Sequence, residues 1–123
     1  MTRRPYARYK IRVQPRLKTS LRISAIVRRA DRLAIPAFVV RKGDPDAGAI
    51  LIRVTRRDQL CTVLSQTRTP EGELVWMRGT GATPVDAPTA EAYIERQARR
   101  DPDLWVVEIE SDSEALPLDE PIL

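Results

Sequence analysis

Three places in this sequence bring together residue types that do chemistry. Arg78-Gly79-Thr80-Gly81-Ala82 follows an apolar alternation and precedes a helical pattern, a setting in which backbone N–H groups and a helix N-terminus can hold phosphates. Asp44 and Asp46, beside Arg41 and Lys42, set two carboxylates two positions apart, the oxygen chemistry that a hard cation takes. The third place is basic. Arg3, Arg4, Arg8, Lys10 and Arg12 are interleaved with Tyr6 and Tyr9, and Arg28, Arg29 and Arg32 follow in a helical pattern. Cations and stacking aromatics of this kind are candidate contacts to nucleic acid or another anionic surface.

The composition weighs against most catalytic readings. The chain contains no histidine, so Ser-His-Asp and Cys-His chemistry and the usual histidine-containing metal sites cannot be built within it. Catalysis would rest on carboxylates, Lys, Tyr or the lone Cys61, which alternates with apolar neighbours and reads as a buried, inert thiol. Dedicated cation loops use more oxygens than Asp44 and Asp46 supply, so a plain turn is favoured there, and no metal or cofactor is expected. The Arg78 to Ala82 segment resembles the pyrophosphate loop of acetyl-CoA-dependent acetyltransferases. Its glycines stand too far ahead of the next helix for the phosphate mechanism, which leaves an acyl-CoA or phosphate-ligand enzyme as the remote alternative.

These residues must be positioned by a small fold. At 123 residues the chain is one domain, long enough to bury about two-thirds of its unfolded surface. With 42% hydrophobic and 31% charged residues it falls among globular proteins rather than disordered ones. No apolar run approaches the roughly 20 residues of a membrane span, and no signal-peptide pattern follows the basic start. The expectation is a cytoplasmic protein with no membrane association, in agreement with its single cysteine.

Charge is polarised along the chain. Residues 1 to 18 carry seven basic residues and no acidic ones, and residues 101 to 123 carry eight acidic residues and no basic ones. Residues 1–15 therefore read as a mobile basic arm, 16–110 as a single α+β domain and 111–123 as an acidic disordered tail.

Within the domain, Ser20 is a fitting N-cap for a helix running to about Leu33. Its face Ile23, Ile26, Val27 and Ala30 is apolar, with Arg22, Arg28, Arg29 and Arg32 directed away from it. Pro36 stops it. Ala37 to Lys42 and Ala49 to Thr55, joined by a Gly-Asp-Pro-Asp turn, read as a hairpin. Leu60 to Ser65 and Glu73 to Arg78 continue a four-stranded antiparallel meander across short connections. Gly79 to Pro88 is the longest loop and the candidate binding loop, with Arg78, Gly79 and Gly81 as its candidate residues. A second helix covers Thr89 to Arg100. The fifth strand, DPDLWVVEIE, begins after Pro102, starts buried on both faces and ends wet on one, at a sheet edge. The expected architecture packs both helices on one face of the sheet, with Trp76 and Trp105 in the core.

The runs RLKTSLRISAIVRRA, RKGDPDAGAILIRV and RRDPDLWVVEIE carry a resemblance. Together they are similar to a small bacterial family, domain of unknown function family 1491, over about Arg16 to Glu110. The resemblance implies one small domain of strands and helices and brings no activity, cofactor or catalytic residue.

The favoured functional reading is a non-catalytic interaction or adaptor module that binds a protein partner or a second copy through a sheet edge or the 79–88 loop. The alternative is a nucleic-acid or ribosome-associated protein that uses the basic arm and the Arg face of the first helix.

Overall fold

The computed structural model describes residues 17–123, so Arg3, Arg4, Arg8, Lys10, Arg12 and the basic-arm reading lie outside the described residues. The elements are α1 (Thr19–Arg32), β1 (Ala37–Arg41), β2 (Ile50–Thr55), β3 (Cys61–Arg68), β4 (Leu74–Arg78), α2 (Ala87–Arg100) and β5 (Trp105–Glu110). They build an α+β domain on one five-stranded mixed sheet in the order β1-β5-β2-β3-β4.

The meander expected from the sequence is therefore present only as β2-β3-β4. β1 and β2 do not form a hairpin: β5 inserts between them, antiparallel to β1 and parallel to β2. The physical reason lies in the strands themselves. β5 is buried at Trp105, Val106, Val107, Glu108 and Ile109, and a strand buried on both faces is most stable in the sheet interior, flanked by two neighbours and covered on two sides. β1, by contrast, exposes its three central residues and takes the edge. Thus β5 does not leave the sheet at an edge, as its acidic end suggested.

The helices pack on opposite faces rather than one. Ile23 and Ile26 of α1 share a core with Ile50, Ile52, Val54, Leu64, Trp76, Trp105, Val107 and Ile109. The alternate residues Leu51, Cys61, Val63, Leu104 and Val106 pack with Ala90 and Ile94 of α2. Period-two alternation divides β2 and β5 between the two cores, so each face of the sheet is apolar and each requires a cover.

Local chemistry sets the helix ends. α1 begins two residues earlier than an N-cap at Ser20 implies, with Lys18 at the cap and no side-chain bond there. Its first amides are instead satisfied by backbone: Thr19 N–H donates to the Asp46 carbonyl at 3.2 Å and Ser20 N–H to that of Pro45 at 2.9 Å. The Asp-Pro-Asp turn thus does the work of a capping side chain. α1 ends in a Schellman arrangement: Ile35 N–H reaches Ala30 O at 2.8 Å and Ala34 N–H reaches Asp31 O at 3.1 Å, with Ala34 at φ 58°. α2 is capped by Asp86, whose side chain accepts from the Thr89 amide at 2.9 Å. Hydrogen bonding from the Thr89 side chain, and then this amide bond, hold the Asp86 carboxyl below its ordinary value.

Residues 111–123, expected as a disordered tail, pack across the α1 face of the sheet. Leu116, Leu118 and Ile122 lie against the core and Pro117 is fully buried. Trp76 N–H donates to the Pro121 carbonyl at 2.9 Å and Leu123 N–H to the Trp76 carbonyl at 2.8 Å. The acidic residues of this segment alternate with apolar ones, Leu116, Pro117, Leu118 and Ile122, and it is these that cover the sheet.

Candidate interaction edge

The sheet has two edges, and the chain treats them differently. At β4 the outer edge is covered by the C-terminal segment, which forms a parallel bridge between Trp76 and Ile122. Beyond β1, no described strand follows. An open edge presents unpaired N–H and C=O groups in a row, a template for another chain. On this edge Phe38 is 49% exposed, Val39 39% and Val40 50%.

The three apolar side chains do not share one face. Phe38 stands opposite Glu108 and so on the α2 side of the sheet, whereas Val39 stands opposite Val107 and on the α1 side. A bulge between Val39 and Arg41 breaks the register with β5 and turns the strand at Val40. Arg41 anchors the end of the strand, its guanidinium donating to the carbonyls of Pro102 and Leu104 at 3.3 and 3.2 Å. The edge is thus held at both ends, by Arg41 and by the bond from Glu110 N–H to the Pro36 carbonyl at 3.0 Å, while its middle stays apolar and uncovered.

Next to this edge, on the α2 side, lies a polar network whose members are far apart in the sequence. Glu108, on the face of β5 expected to be wet, is only 5% exposed. It accepts from Arg53 Nε at 2.5 Å, and Arg53 Nη1 donates to Glu91 Oε2 of α2 at 2.8 Å. Burial works against the Arg53 charge, but the two carboxylates overcome it and hold its guanidinium above the ordinary value. The signal available in the sequence was the alternation of β2, where Arg53 interrupts an otherwise apolar run and needs a buried anion as partner.

The candidate basic residues disperse. Arg29 is half-buried and pairs with Asp119 of the C-terminal segment, so it is not a free cation. Arg28 and Arg32 are exposed on α1. Arg22, expected to point away from the core, is half-buried against the sheet.

The candidate loop is closed by its own backbone. Gly79 N–H donates to the Val63 carbonyl at 2.8 Å and Gly81 N–H to that of Arg78 at 3.0 Å. Arg78 Nη1 donates to the Leu123 carbonyl at 2.7 Å. These donors already have acceptors, so the glycines do not form a phosphate cradle. Asp44 likewise uses its carboxylate locally, accepting from Ala47 N–H at 2.8 Å, as a turn residue does. Cys61 is buried, with its Sγ 3.6 Å from Thr55 Oγ1 and from the Gln59 carbonyl.

Comparison with known proteins agrees with this architecture. The family model described as "Protein of unknown function (DUF1491)" matches residues 17–119, which extends past Glu110 into the docked C-terminal segment. A crystal structure of a DUF1491 family protein from Caulobacter crescentus CB15 is 39% identical, with a TM-score of 0.78 over 88% of this chain and 100% of that one. An NMR structure of a DUF1491 family protein from the same organism gives 38% identity and 0.76 over 87% and 96%. The solution structure of an A. tumefaciens protein gives 30% and 0.70 over 89% and 100%. No curated protein matches. By sequence and by fold, this chain belongs to the DUF1491 family.

Proposed function

We propose that this protein is a non-catalytic interaction module that takes up an extended segment, from a protein partner or a second copy, on the open edge of β1. The observation that carries this reading is the contrast between the two sheet edges. β4 is closed by the chain's own C-terminal segment, and β1 is left with Phe38, Val39 and Val40 exposed in succession. In β-strand addition the main-chain hydrogen bonds supply affinity and the alternating side chains supply selectivity.

The test pairs the protein with a Phe38→Lys/Val40→Lys variant, which places charge on the edge without touching the buried core. Light scattering over a concentration series reads self-association, and a native lysate pull-down reads a stoichiometric partner. The variant keeps the parent's thermal melt and loses the dimer or the partner. A parent that stays monomeric and captures nothing the variant does not also capture refutes the reading.

Exposed Arg28 and Arg32, together with the basic residues at the start of the chain, support a second reading as a nucleic-acid binder. RNA or DNA retention at low salt that falls steeply with added salt and disappears on deletion of residues 1–15 supports it. Retention unchanged by that deletion counts against it.

A further inference from the structure

A cleft of about 540 Å³ opens on the α1 side of the sheet, where the start of α1 meets the ends of β3 and β4. Arg22, Gln66, Arg68 and Glu120 line it, and its hydrogen bonding is unbalanced toward donors. The Gln66 Nε2 amide is buried and has no acceptor among the described residues. Arg22 forms no ion pair with any described residue. Arg68 uses one guanidinium nitrogen, donating to the Gly72 carbonyl at 2.6 Å, and leaves the rest of its fork available.

The acids at this cleft each have another partner as well. Asp46 lies 3.8 Å from Lys18 Nζ, and Glu120 Oε1 accepts from Trp76 Nε1 at 3.1 Å. Burial holds the Arg22 guanidinium below its ordinary value; Glu120 pulls against this, and Arg68 repels it further. Two guanidiniums that repel across a partly buried cleft, beside an amide N–H group without an acceptor, form an arrangement that an added anion would relieve. The helix start itself contributes nothing, since the Thr19 and Ser20 amides are satisfied by the Asp46 and Pro45 carbonyls.

We infer that this cleft binds a compact oxyanion, a phosphate or carboxylate group held between Arg22 and Arg68 beside Gln66. Guanidinium forks match the planar or tetrahedral oxygen arrays of such groups, and paired arginines favour them over halide. The site is separate from the β1 edge and stands whether or not that edge binds a partner.

The experiment is an NMR titration of the 15N-labelled full chain with inorganic phosphate, sodium acetate and, at matched ionic strength, sodium chloride. The expected result is saturable, single-site movement of the Gln66 side-chain amide and the Arg22 and Arg68 Nε resonances with phosphate or acetate. Saturation with phosphate identifies a phosphate site, and saturation with acetate alone a carboxylate site. Arg22→Gln and Arg68→Gln should each weaken binding about tenfold, the loss of one charge-assisted contact, and Arg28→Gln should leave it unchanged. Arg68 is exposed, so Arg68→Gln carries the test if Arg22→Gln fails to fold. Shifts that chloride reproduces, no saturation with either oxyanion, or equal weakening by Arg28→Gln would overturn the inference.

Discussion

Trp105 donates its indole Nε1–H to the backbone carbonyl of Asp44 at 2.7 Å, so the first residue of β5 is bolted to the first Asp-Pro-Asp turn from across the sheet. The second Asp-Pro-Asp turn lies alongside, where Asp44 N–H donates to the Asp103 carbonyl at 3.0 Å and Trp105 N–H to that of Ala49 at 2.9 Å. The two triplets therefore act as one clamp. It starts β5 in register beside β2 and, through the Pro45 and Asp46 carbonyls, caps α1.

Trp105→Ala should cost about 3–5 kcal/mol, since it removes a large core side chain that is 4% exposed. Trp105→Phe keeps most of the packing and loses the indole bond, for about 1–2 kcal/mol. Denaturant melts of the two variants separate the contributions. A loss below about 1 kcal/mol for the alanine variant would contradict the packing seen here.

The clamp also explains two glycines. A Cβ on Gly43 would lie 2.0 Å from the Asp103 carbonyl oxygen, and one on Gly48 would lie 2.4 Å from the same atom. Neither neighbour is a flexible side chain, so the backbones must separate. Gly43→Ala and Gly48→Ala should each destabilise by about 2 kcal/mol or more. Hydrogen exchange should show the loss concentrated at the start of β5.

Ala34 offers the opposite outcome. It occupies the left-handed position after α1, where a Cβ is unfavourable and glycine is the usual residue. Ala34→Gly should stabilise the protein by about 0.5–1 kcal/mol, the relief of strain less the greater entropy of glycine in the unfolded chain. A rise in Tm checks it.

Removal of residues 116–123 should unfold the domain or leave it with exposed apolar surface. The deletion uncovers Trp76, which is fully buried, and removes the Glu120 acceptor of its indole. The fluorescence of Trp76 should shift to the red and the dye ANS should bind. A truncated chain that melts like the parent would mean that the segment does not contribute to the core.

The Arg53 and Glu108 pair should behave as a buried ion pair. Arg53→Ala leaves Glu108 without its guanidinium and should cost about 2–4 kcal/mol, whereas Arg53→Met with Glu108→Gln should recover much of the loss. A double-mutant cycle in denaturant reads the coupling between them.

The sequence alone determined the local elements. Ile23, Ile26 and Ala30 recur at helical spacing and are buried on α1; Ile50, Ile52 and Val54 alternate with Leu51 along β2; Pro102 and Asp103 precede β5; Cys61, Trp76 and Trp105 are core residues. These patterns are legible because helix and strand periods follow from backbone geometry, and a single stretch of chain carries them.

Only the tertiary structure decided which strands are neighbours, and with that the candidate site. Ala37 to Lys42 and Ala49 to Thr55 are joined by a turn that fits a hairpin, and local chemistry does not show that β5, about 50 residues later, displaces β1 to the edge. A strand apolar on both faces has to be interior, and the both-faced pattern of Leu104 to Ile109 carried that information. Its use requires knowing that both faces of the sheet are covered, by α1 with the C-terminal segment on one and α2 on the other. The exposed edge of β1, the burial of Glu108 beneath Arg53 and the cleft between Arg22 and Arg68 all depend on residues far apart in the chain. Strand pairing and side-chain burial are properties of the assembled sheet, and no local window of sequence contains them.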